Sequence, residues 1–143
     1  MNLQILKDKI DKISDYEIDK INDNSQESLT KFINFYNQIG VPKSYIEFIE
    51  NIGLGGVDFI FKMDDLLLKY DEIYPKEYTH LEGMYIFASD MGEYVYAFDS
   101  KNNWEVVDID ASGEVFERYG DFETFINYML DYIINLNDEE DDD

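Results

Sequence analysis

The 143-residue sequence predicts an α+β fold, with a curved antiparallel sheet of about four to six strands and helices packed on one face. Three observations carry that expectation. Apolar residues recur at helical spacing from the N-terminus to Gly53, they alternate after Gly83, and helical spacing returns after Asp121. Helices first, then a meander, then one closing helix is not the alternating order of a parallel sheet.

Leu3, Leu6, Ile10 and Ile13 make the first amphipathic helix. "NDNSQES" interrupts it, and Asn24 with Glu27 has the spacing of a capping box for a second helix bearing Leu29, Phe32, Ile33, Tyr36 and Ile39, stopped by Gly40. Pro42 fits the first turn of a third helix, where its missing N–H costs nothing; Tyr45, Ile46, Phe48, Ile49 and Ile52 follow before Gly53. "GLGG" (Gly53 to Gly56) permits positive φ and leads into a short apolar run, Val57 to Phe61. Leu66 to Leu68 suits either a short helix or an irregular segment over the core. Strands are predicted at Met84–Ala88, Tyr94–Phe98, Trp104–Ile109 and Glu114–Tyr119, joined by "SDMGE", "DSKNN" and "DASG". Asp121 caps the last helix, whose apolar side carries Phe122, Phe125, Ile126, Met129, Ile133 and Leu136. One domain over residues 1–136 is expected, followed by a disordered acidic tail, "NDEEDDD".

Composition bounds the chemistry. The chain has no cysteine, which excludes disulfides, thiolate metal sites and cysteine nucleophiles. Lys7, Lys9 and Lys12 interrupt the N-terminal apolar residues, and no later run is long enough to cross a membrane, so a soluble cytoplasmic protein is expected. Net charge is −22, and it is uneven: residues 73–143 hold 19 acids against three bases. Setting aside the six acids of the tail still leaves −16. A field of that sign repels nucleic acid and anionic lipid and attracts basic proteins.

"IFASDMGEYVYAFD" (Ile86 to Asp99) puts Asp90, Glu93 and Asp99 around one glycine. They form either a chemical site or the turn and ends of a hairpin, and the turn preference of aspartate favours the hairpin. "DIDASGE" (Asp108 to Glu114) opens like a calcium loop, but its ninth and twelfth positions are Phe116 and Tyr119, so dedicated metal binding is not expected. "GLGG" follows a helix and lacks the spacing of a phosphate cradle. His80 is the only histidine, which removes multi-histidine zinc sites and histidine relays. With 33 acids some pair always meets a glycosidase separation, so that test does not discriminate. A chain with 12 Tyr and 10 Phe, rich in acids, is better read as a binder than as an enzyme; no cofactor is expected.

Two stretches carry a family resemblance. "IGVPKSYIEFIENIGLGGVDFIF" resembles the first signature of the SUKH superfamily: an apolar-Pro start, a short helix, then a glycine-rich turn into a strand. "MYIFASDMGEYVYAFD" resembles the second, and "WEVVDIDASGEVFERYGDFETFINYML" is similar to the remaining strands and closing helix, so the pattern covers residues 25–136. Leu54-Gly55-Gly56 stands where the family has Asn-Gly-Gly. The resemblance implies a non-catalytic fold in which Pro42, Gly55, Gly56, Asp90, Gly92 and Asp99 are structural. It also implies an immunity protein that neutralises a cognate toxin by direct binding, or else a regulatory scaffold with a cellular partner. The expected partner is a basic toxin domain such as a nuclease, with no nucleic acid or membrane involved and the chain a monomer or weak homodimer. Candidate contact residues are Asp64, Asp65, Asp71 and Glu72 in the irregular segment, with Glu93, Asp108 and Asp110 on the turns.

Overall fold

The computed structural model describes residues 1–19, 34–35, 37–63 and 67–141. Among the described residues, helices α1 (Leu3–Asp11), α2 (Lys43–Asn51) and α3 (Phe122–Asp141) pack on an eight-stranded antiparallel sheet. Its strands are β1 (Glu17–Asp19), β2 (Leu54–Val57), β3 (Phe61–Met63), β4 (Leu68–Lys69), β5 (Met84–Ser89), β6 (Tyr94–Asp99), β7 (Glu105–Asp110) and β8 (Val115–Gly120). They lie in the order β1-β2-β3-β5-β6-β7-β8, and β4 shares the edge of β5 with β3. The expected α+β class is therefore observed, with more strands than expected.

The predicted meander is present with bounds shifted by a residue or so. β6 pairs with β5 on one side and β7 on the other, as its two apolar faces require. The four additional strands come from the N-terminal half, each four residues or shorter. The run from Val57 to Phe61 is not one strand: Val57 pairs with Phe61 across a hairpin, and Asp58, Phe59 and Ile60 form its tip. The chain reverses there because Phe59 takes a left-handed conformation, φ 66°. Leu68–Lys69 adds to β5, and a 3-10 turn at Tyr70–Glu72 follows it. The second predicted helix, including its Asn24–Glu27 box, lies mostly outside the described residues; residues 34–35 and 37–39 are helical.

Helix ends follow the local chemistry. Asn2 Oδ1 accepts the Ile5 N–H, Pro42 occupies the cap of α2, and Asp121 Oδ1 accepts the Thr124 N–H at 2.8 Å. Those bonds to Thr124, backbone first, hold the Asp121 carboxyl below the ordinary aspartate range. Helix α3 does not stop at Leu136 but continues to Asp141, into the segment expected to be disordered, since nothing in "NDEED" breaks a helix as Gly or Pro would.

Both sheet faces are covered. Leu6 and Ile10 of α1, Tyr45 and Phe48 of α2, and Phe122, Phe125 and Ile133 of α3 bury against Phe61, Phe87, Tyr96, Phe98 and Val106. On the opposite face Ile86, Ala97, Val107 and Ile109 lie under Tyr74 and Leu81. A bulge in β5 between Ile86 and Ala88 turns Phe87 to the helix side, where its ring stacks on Phe98 at 4.5 Å. Lys9 of α1 reaches Asn127 at 2.9 Å and Asp131 at 3.0 Å, fastening α1 to α3.

Candidate functional site

Asp90 and Asp110 begin two matching turns at one end of the sheet, where Tyr94 and Asp110 are register partners. Asp90 Oδ1 accepts the N–H groups of Gly92 and Tyr94 at 2.9 and 3.0 Å. Asp110 Oδ1 accepts those of Ser112 and Glu114, both at 2.9 Å, and the Ser112 hydroxyl. The Glu114 N–H, first among these donors, holds the Asp110 carboxyl below the ordinary aspartate range. At the other end of β6, Asp99 is 2% exposed and binds the Lys101 N–H, the Asn102 amide and Arg118. Asp90 and Asp99 are thus the turn and the end of a hairpin, and Glu93 is an exposed acid on that turn.

The expected contact acids do not form one cluster. Asp64 and Asp65 lie outside the described residues. Asp71 and Glu72 are exposed on the 3-10 turn, and the Glu72 carboxylate folds back onto the Lys69 N–H at 2.7 Å. Asp108 requires a correction: it is not on a turn but within β7, only 8% exposed on the helix-facing side. The pairs Val107–Arg118 and Ile109–Val115 leave Phe116 and Glu117 opposite Asp108, a bulge in β8. Asp108 Oδ1 takes the Glu117 N–H that the bulge displaces from the ladder, at 2.8 Å, while Oδ2 accepts the Tyr119 hydroxyl at 2.7 Å. Among the described residues no three acidic or histidine side chains converge as a metal site would need.

What the structure assembles is a cleft of about 430 Å³ between the turn end of the sheet and α3. Tyr94 and Tyr96 of β6, Asp108 of β7, Tyr119 of β8, Tyr128 and Tyr132 of α3, and Phe59 at the hairpin tip line it, with Asp90 at the end. Its rings touch in series: Tyr96 on Tyr119 at 6.4 Å, Tyr119 on Tyr128 at 5.6 Å, and Tyr128 stacked on Tyr132 at 6.4 Å. Phe116, turned outward by the β8 bulge, meets Tyr94 edge-on at 6.1 Å. Among the described residues no lysine or arginine lines it, so the wall is mainly aromatic, with Ile60, Met129 and Leu136, and the polar groups are carboxylates and hydroxyls. An arrangement of this kind suits cations, which bind ring faces and carboxylates together.

Burial pushes the phenols of this region upward. The Tyr96 and Tyr119 hydroxyls are raised far above the ordinary value of 10.0, by burial first and then by neighbours that include Asp108, which also accepts the Tyr119 proton. Tyr16 is raised by burial as well. On the opposite face Tyr74, whose hydroxyl donates to the Asp110 carbonyl at 2.8 Å, is pushed up to about 12 by burial and by Asp110. A phenol raised in the folded state loses its proton first in the unfolded chain. Its contribution to stability is therefore complete below pH 10 and is lost as pH climbs from 10 through about 12. Tyrosinate absorbance and circular dichroism followed against pH should show Tyr74, Tyr96 and Tyr119 ionising only together with loss of secondary structure. A single step for all 12 tyrosines with the dichroism intact would contradict this.

Sequence reading placed the apolar side of the closing helix correctly but left Tyr128 and Tyr132 unassigned. The available signal was their i, i+4 spacing on α3, together with Tyr94 and Tyr96 on the strand. No protein-family model and no curated protein matches the chain.

Proposed function

We propose that this chain is a SUKH-type cytoplasmic immunity protein that neutralises a basic toxin domain, such as a nuclease, by binding it and covering its working surface without turning anything over. The observation that carries the reading is that acids and exposed aromatics share one end of the molecule. Met91, Phe116, Tyr128 and Tyr132 are all exposed there, beside Asp90, Glu93, Asp110 and Glu114 of the two turns. Aromatic residues supply contact area at little cost in side-chain entropy, and surrounding acids steer a basic partner.

Co-expression with the product of the neighbouring gene tests the proposal, scored by rescue of growth and by co-purification. Rescue with a stable complex is expected. Absence of both would move the assignment to a regulatory scaffold with a cellular partner. Association should approach about 10⁸ M⁻¹s⁻¹ at low salt and slow as salt rises, because the Debye length is about 10 Å at 0.1 M. An on-rate indifferent to salt would remove the steering.

A further inference from the structure

The cleft has features that general surface acidity does not account for. Tyr96 is 8% exposed and lines the cleft, and its hydroxyl opens onto the cleft and makes no hydrogen bond to a described residue. A phenol so placed offers an occupant one donor and accepting lone pairs. Asp90 commits Oδ1 to two turn N–H groups, while Oδ2 has no partner among the described residues. Asp108 spends one lone pair on each oxygen and retains accepting capacity. Phe59, on the rim, is 75% exposed in a left-handed conformation (φ 66°) that large side chains rarely adopt. A strained, solvent-facing phenylalanine contributes little to the fold, and strain of this kind concentrates at binding sites.

We propose that the cleft receives an arginine side chain of the basic partner, with its guanidinium against the tyrosine rings and its N–H groups directed to Asp90, Asp108 and the Tyr96 hydroxyl. The inference rests on the binding reading above and names the group that the surface recognises. Charge complementarity selects a cation: among the described residues two carboxylates line the cleft and no basic residue does. Arginine fits better than lysine because the guanidinium is planar, stacks on aromatic faces, sheds water more easily and offers five donors to several acceptors. The occupant supplies the donors that Tyr96 and Asp90 lack, so the pocket is most fully satisfied in the complex.

The test is a titration of the full-length chain with N-acetyl-arginine N-methylamide, followed by nuclear magnetic resonance of the tyrosine rings. The citrulline analogue serves as a neutral isostere. Millimolar binding of the arginine compound is expected, as befits a single side chain, and binding at least about 10-fold weaker for citrulline. The double variant Y128A/Y132A keeps the net charge of −22 and alters two partly exposed helix positions, so the chain still folds. It should weaken the arginine compound about 10-fold, and D90N should weaken it severalfold. Phe59→Asn should leave the thermal midpoint unchanged or raised, since asparagine tolerates the left-handed conformation, while weakening the partner complex. Equal shifts from the arginine and citrulline compounds, or equal binding by Y128A/Y132A and the unaltered chain, would overturn the proposal. The failures separate cleanly. A complex with the neighbouring gene's product that is indifferent to Y128A/Y132A removes the cleft and leaves the immunity reading. Selective arginine binding without such a complex supports the cleft and removes that partner.

Discussion

Replacing Gly56 by alanine is expected to cost about 3 kcal/mol or more, enough to leave much of the chain unfolded. A Cβ at that position would stand 2.1 Å from the Phe61 carbonyl oxygen and 3.0 Å from the Lys62 Cα. Both atoms are backbone of β3, which Gly56 faces directly in the β2–β3 register, so neither can yield without opening the hairpin. The φ of +143° adds strain for any residue with a side chain. Gly92→Ala is the matched control. Its Cβ would meet only Asp90 Oδ1, at 3.7 Å, and its φ lies outside the left-handed range, so stability should change by less than about 1 kcal/mol. Urea unfolding of the two variants decides the matter, and similar midpoints would refute the steric argument.

Phe122→Ala should be the next most damaging change, at about 3–5 kcal/mol and a fall in Tm of roughly 10 °C. Phe122 is fully buried at the start of α3, immediately after the Asp121 cap. Its ring stands 5.5 Å from Tyr45, 5.7 Å from Phe48, 5.9 Å from Phe87 and 6.0 Å from Phe98. Aromatic contacts at these distances add to the burial they accompany. One helix and two strands close on this one ring, so its removal leaves a cavity that no single element can fill by shifting. Phe116→Ala removes an equally large but exposed ring and should cost less than about 1 kcal/mol. Thermal unfolding of both variants compares them, and comparable losses would show that ring burial is not what matters.

The meander was legible because its strands are six residues long, rich in aromatic and β-branched residues, and are separated by Asp-containing turns whose side chains bond the local backbone. The first four strands were not. Glu17–Asp19 and Leu68–Lys69 are too short for a period of two to be distinguished from chance. The β2–β3 turn was concealed because a phenylalanine, not a glycine or asparagine, takes the left-handed position. Asp108 was misplaced for a related reason: the Glu117 N–H that holds its carboxylate is freed by a bulge in the neighbouring strand β8, and bulges leave little trace in residue order. The cleft draws residues from a hairpin tip, a turn, three strands and a helix, spread between Phe59 and Tyr132. Periodicity reports which face of one element is apolar; it carries no information on how five or six elements converge. Only Tyr94 with Tyr96, and Tyr128 with Tyr132, lie close enough in sequence to show as pairs.

The two ends of strand β6 differ optically. Trp104, the only tryptophan, follows the Asp99 turn and stacks on Tyr85 at 5.4 Å, about 17 Å along the strand from the turn at Asp90. The cleft at the other end is lined by tyrosine and phenylalanine alone among aromatic residues. Tryptophan emission therefore reports the integrity of the folded sheet, and a change in tyrosine emission on adding a ligand, with the tryptophan signal constant, reports the five tyrosines that line the cleft. One cuvette can follow unfolding and occupancy as separate signals, with no dye attached and no residue replaced.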